Sequence, residues 1–195
     1  MKLFSRVLLV LALLAAAMLG GYAASRVGAV QAAAAAFGPP IKVTLMDVPN
    51  ASTTPDVFGT TAVKIADAGT FTVEDGASLI EVTHQGRLYV ESFTGSTGAY
   101  FELRVDDTLG QEVRAGQPSG LGLVRSTEAG TYVSNTFTGY WQGLTPGEHT
   151  VSIWVRAANG TANNAIIDPG GWNSNIVVVK EYLPFGTTFA PLVNR

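Results

Sequence analysis

Two patterns of apolar residues divide the chain. Val7–Leu19 is an unbroken apolar run of thirteen residues. From Ile41 onward no dozen-residue window carries an apolar i, i+3, i+4, i+7 stripe, and short alternating runs bounded by turn residues replace it, which is the strand signature. The runs are Lys42–Met46, Thr61–Ala66, Gly69–Val73, Ser78–Thr83, Leu88–Phe93, Ala99–Asp106, Leu121–Arg125, Val133–Trp141, His149–Ala157, Thr161–Ile167 and Asn175–Tyr182. Breakers separate them at Glu74-Asp75-Gly76, Gln85-Gly86, Asp107–Gly110 and Thr145-Pro146-Gly147. Asn159-Gly160 between two runs predicts a two-residue hairpin, because a type I′ turn needs positive φ at both central positions. The pattern predicts an all-β fold, an antiparallel jelly roll or β-sandwich of about ten strands, preceded by an N-terminal hydrophobic helix.

Alternation also sorts the faces. In Phe101–Asp106 the apolar residues alternate with charged ones, and Val151, Ile153 and Val155 predict the core face of their strand. His149 shares their parity, which points to a hydrogen-bonded structural histidine at the strand start. The continuous Val177-Val178-Val179 suggests a strand buried on both sides or a subunit contact.

Charge sharpens the division. Residues 1–40 hold Lys2, Arg6 and Arg26 and no acid, whereas residues 41–195 hold nine basic and fifteen acidic side chains, net −6. Lys2 and Arg6 before the apolar run, and Gly21-Tyr22-Ala23 after it, fit a secretion signal. The alternative is a membrane anchor, since Val7–Ala24 is eighteen residues without a charge, at the short edge of what spans a bilayer. The domain map is therefore 1–24 signal peptide or membrane anchor, 25–40 Ala-rich spacer ending in Gly38-Pro39-Pro40, 41–185 β-sandwich and 186–195 tail. Both readings export the sandwich to a secreted or cell-surface location, and membrane contact is expected only through the N-terminal segment. The acidic domain argues against a nucleic-acid partner.

The chain has no cysteine and two histidines, which removes disulfides, thiol nucleophiles and cysteine zinc sites. No G-x-S-x-G, H-E-x-x-H or P-loop occurs, and the chain is read as non-enzymatic. Asp106-Asp107 offers adjacent carboxylates for calcium, the one cofactor considered, against a plain turn. A hydrolase would need either of them paired with Glu102. Trp154 stands on the polar face of its strand, Tyr140 near a strand end, and Trp172 in a Gly-rich loop. Such rings stack on sugars, anchor protein interfaces, or cover sandwich edges.

Leu144-Thr145-Pro146-Gly147-Glu148-His149-Thr150-Val151, followed by an alternating strand and the closing Ile176–Tyr182, resembles bacterial and phage domains related to the C1q/TNF jelly roll, over about residues 60–185. In these a Pro-Gly-x-His-Thr-Val turn and strand precedes a final strand. The resemblance implies a ten-stranded sandwich, often trimeric, used on surfaces or fibres for adhesion or assembly, with Thr70–Asp107 supplying central strands. No Gly-x-y stalk precedes it here. The expected role is structural, self-assembling or adhesive at the cell surface, with a surface protein as a further partner. The alternative is a carbohydrate-binding module using Trp154, Trp172 or Tyr140.

Overall fold

A computed structural model describes residues 38–52, 56–168 and 175–184. The signal or anchor, the N-terminal helix, most of the spacer, Trp172 and the 186–195 tail lie outside these residues.

The described chain is almost entirely antiparallel β-structure. Its strands are β1 (Lys42–Asp47), β2 (Ala51–Ser52), β3 (Val57–Phe58), β4 (Val63–Val73), β5 (Leu79–Thr94), β6 (Gly98–Val105) and β7 (Thr108–Leu109). They continue with β8 (Glu112–Arg114), β9 (Gln117–Pro118), β10 (Leu121–Arg125), β11 (Val133–Gln142), β12 (Gly147–Ala157), β13 (Thr161–Ile167) and β14 (Ile176–Tyr182). One 3₁₀ turn, Ser126–Glu128, interrupts them.

Two sheets pack face to face. The first has the order β1-β14-β5-β13-β2, with β11 on the other flank of β5 and β3 on β13. The second has the order β10-β6-β12-β4, with β7 on β6. β5 organises the first sheet. Along one flank it pairs with β14 at Leu79–Gln85 and then with β13 at Leu88–Thr94, while β11 covers Leu79–Leu88 on the other. Ile80, Val82, Leu88 and Val90 point inward from β5 and meet Phe101, Leu103, Val151 and Ile153 of the second sheet in one fully buried core. The sheets approach each other at β10 and β11, where Gly120 N–H donates to Thr138 O over 2.8 Å and Phe137 occupies the space a side chain at Gly122 would need.

The alternation of β6 and β12 follows expectation: Phe101, Leu103, Val105, Val151, Ile153 and Val155 are buried. Other boundaries differ. Gln85-Gly86 does not break β5. Gly86 lies within the strand, and a Cβ there would overlap Asn175, whose buried amide accepts from Arg87 N–H and donates to Arg87 O over 3.1 Å. Thr61–Ala66 and Gly69–Val73 join into β4, with irregular pairing to β12 absorbing the Gly69 kink. The hairpin β8–β9 carries no alternation, so no strand pattern marks it in the sequence.

The hairpin predicted at Asn159-Gly160 is not one, because β12 and β13 belong to different sheets. Only Gly160 has positive φ there, +55°, and the Asn159 side chain accepts from Thr97 N–H at 3.0 Å, so the dipeptide carries the chain across the sandwich. The turn with two positive φ values is Asp106-Asp107, at 48° and 60°, linking β6 to β7. Val177 and Val179 face the core, while Val178 is half-buried on the outer face.

Candidate functional site

The outward face of the second sheet carries a connected layer of charged and aromatic side chains. Strand register builds it: Arg156 on β12 lies opposite Tyr100 on β6, Trp154 opposite Glu102, and Ser152 opposite Arg104. Leu121 and Leu123 of β10 extend the rows past Glu102 and Tyr100, and Lys64 of β4 extends the row past Trp154.

Glu102 sits on this face yet is only 1% exposed. Its Oε2 accepts from Arg104 Nε at 3.1 Å and Nη2 at 2.7 Å, and its Oε1 accepts from Arg156 Nε at 2.6 Å. Each guanidinium also covers a ring: Arg104 lies 4.3 Å from the Trp154 ring centroid and Arg156 lies 4.4 Å from that of Tyr100. Such contacts strengthen when partly desolvated. Trp154 Nε1–H donates to Ser152 Oγ at 2.9 Å, and Ser152 donates to Asp107 at 3.2 Å. Lys64 closes the row on Asp67 at 2.7 Å and Asp107 at 3.3 Å. The hydrogen bond to Asp67 leads in raising the lysine pKa over its opposing desolvation.

The Asp106-Asp107 turn lies at one end of this face. Asp106 accepts from Thr150 N–H at 3.0 Å and holds His149 Nδ1 at 2.6 Å, while His149 Nε2 reaches Thr145 O at 2.7 Å. Desolvation alone would lower the histidine pKa, but the bonds to Asp106 and Thr145 together raise it. The carboxylates weighed for calcium are thus engaged by an amide, an imidazole, a hydroxyl and an ammonium group. No group of three His, Asp or Glu side chains suited to a metal occurs among the described residues. Glu102, weighed as a hydrolase partner, has both oxygens committed to guanidinium groups.

The aromatic residues do not form one site. Trp154 is on the second sheet's outer face beneath Arg104. Tyr140 is on the first sheet, opposite Glu81, where burial and then the Glu81 charge push its phenol up from 10. Trp172 is outside the described residues. Trp141, next to Tyr140, is in the core and donates its indole N–H to Thr108 O at 3.1 Å. An open hollow of about 280 Å³ lies along β5 and β11 at Gly86, Arg87 and Ser134–Thr136, away from the charged layer. Sequence reasoning missed Tyr100, Arg104 and Arg156. Their signal is the alternation Tyr-x-Glu-x-Arg on β6 facing Ser-x-Trp-x-Arg on β12, which reads as an ordinary solvent face until register aligns the two strands.

No protein-family model matches the chain, and no curated protein matches it. Among solved structures it aligns with a chain of the BppUct-A-L tripod from the baseplate of bacteriophage Tuc2009, at 14% identity and a TM-score of 0.37. That alignment covers 72% of this chain and 63% of the tripod chain, so less than two thirds of the latter is spanned. It also aligns with the capsid asymmetric unit of cyanophage Pam1, at 15% identity and a TM-score of 0.34, covering 75% of this chain and 89% of that one.

Proposed function

We propose that this is an exported, non-enzymatic β-sandwich of the jelly-roll type suggested by its C1q/TNF-like motif, which self-associates in a structural or adhesive role at the cell surface. The observation that carries the reading is the outward row of β1. Ile41 (46% exposed), just before β1, and Val43 (54%) and Leu45 (70%) on it form an apolar line, and among the described residues β1 pairs only with β14. Sheet edges are usually guarded by charge, proline or a bulge, because unpaired strands recruit other strands. Here Lys42 is turned away onto Glu74 at 2.6 Å, which leaves Asp47 at the strand end as the exposed charge beside the apolar row. A second copy laid antiparallel about Thr44 sets Val43 of each copy against Leu45 of the other, so the row is complementary to itself. Export rests on the basic, apolar and small-residue sequence of the first 24 residues.

Light scattering on the purified protein tests the assembly. A multimer that falls to monomer in Val43→Lys/Leu45→Lys with the β-spectrum retained supports it; a monomeric parent protein sinks it. Fractionation of expressing cells tests export, which fails if the protein stays in the cytoplasm.

A further inference from the structure

We propose that the guanidinium of Arg156 receives the carboxylate of an acidic sugar on the outer face of the second sheet. The two arginines around Glu102 differ in what they have left to give. Arg104 is spent: Nε and Nη2 donate to Glu102, and Nη1 donates to Asp107 O at 3.3 Å. Arg156 commits only Nε. Its Nη1 and Nη2 make no hydrogen bond among the described residues, and its side chain remains 25% exposed.

One carboxylate between two guanidiniums leaves one positive charge over, in a domain that is otherwise net acidic, and this surplus resides on the uncommitted fork of Arg156. The fork is already oriented. Glu102, itself buried, holds one side of it, and the Tyr100 ring lies against its plane at 4.4 Å. A planar guanidinium with two outward N–H groups matches a carboxylate, and prior ordering lowers the entropic cost of binding.

The surroundings favour a sugar over a peptide. Tyr100 and Leu123 lie opposite each other across β6 and β10, both half-buried, and offer an apolar floor in front of the fork. β6, the strand beneath the Tyr100 ring, is hydrogen-bonded on both sides, to β10 and to β12, so it offers no backbone edge to an extended peptide, and a pyranose needs none. The proposal is independent of the assembly reading, since β1 belongs to the other sheet.

The test is calorimetric titration of the full-length protein with oligogalacturonate, its fully methyl-esterified form, and poly-glutamate. The acidic sugar is expected to bind and the ester is not. Arg156→Lys, which keeps the charge and loses the fork, weakens binding about tenfold or more. Tyr100→Leu, which removes the stack that fixes the plane, weakens it as well. Val43→Lys/Leu45→Lys binds like the parent protein, which separates this outcome from the fate of the assembly. The proposal is overturned by absence of binding to the parent, by equal binding of the ester, by poly-glutamate binding as tightly as the sugar, or by unchanged affinity in a folded Arg156→Lys.

Discussion

His149 and Asp106 are joined by a 2.6 Å contact that ties the start of β12 to the β6–β7 turn. The same ring reaches Thr145 O at 2.7 Å. A neutral imidazole has one N–H, whereas donation to both oxygens takes two, so the geometry selects the charged ring. Its raised pKa adds stability that is fully present below the ordinary 6.5 and is lost as pH rises through the higher folded value. For Asp106, burial opposes ionisation, but the Thr150 amide and His149 bonds outweigh it and lower the pKa from 3.8. Its contribution is present above 3.8 and lost as pH falls through the lower folded value. Urea titrations should show the parent losing stability as pH rises from 6.5 through the raised folded value, and His149→Phe should remove that limb while costing about 2 kcal/mol below it. A limb above pH 6.5 that is unchanged in the variant refutes the assignment.

His84 has the opposite sign. It is fully buried beside Phe137, with ring centroids 4.8 Å apart, and neither nitrogen has a hydrogen-bond partner among the described residues. Burial lowers its pKa from 6.5 to about 4. The unfolded chain therefore takes up a proton between those values and the folded protein does not, so stability falls as pH drops from 6.5 toward 4. The full penalty is about 3 kcal/mol. His84→Leu should flatten this acid limb, and chemical denaturation at stepped pH reads the difference.

Gly86 and Asn175 act as one unit. Gly86→Ala puts a methyl group into the Asn175 side chain and should cost about 3 kcal/mol. Asn175→Ala removes the side-chain acceptor of the Arg87 amide, while Arg87 O keeps the Asp168 N–H, and should cost about 2 kcal/mol. The double variant should be more stable than the sum of the single losses implies, because the clash has gone. Strict additivity in thermal unfolding would contradict the coupling.

Glu102 holds two guanidiniums in place. Glu102→Ala leaves Arg104 and Arg156 facing each other without a counter-charge, at a cost of about 3 kcal/mol. Tryptophan fluorescence should also change, because the guanidinium over Trp154 loses its anchor. An unaltered spectrum and unfolding midpoint would show that the stack holds without the carboxylate.

The parts legible from sequence were those set by local alternation. Val151, Ile153 and Val155 could be assigned inward because period two in a half-buried strand leaves little choice, and His149 followed by parity. Turn residues misled where tertiary contact decided their use. Gly86 looked like a breaker and is a strand residue beneath Asn175, while Asn159-Gly160 looked like a hairpin and crosses between sheets. The layer around Glu102 depends on register between β6 and β12, which are separated by more than forty residues in the chain. No local pattern encodes which outward residue meets which.

Sixteen-residue β5 also fixes an order of events. Its partners all follow it in the chain: Leu88 pairs with Val133 and Ile167, and Ile80 pairs with Trp141 and Glu181. A growing polypeptide therefore presents Ile80, Val82, Leu88 and Val90 with no strand to pair them for several seconds, at synthesis rates of roughly 5–20 residues per second. β1 waits longer still, because it pairs with β14. The first sheet closes only when nearly the whole domain has been made, so its folding is dominated by distant contacts, the regime in which strand proteins fold slowly.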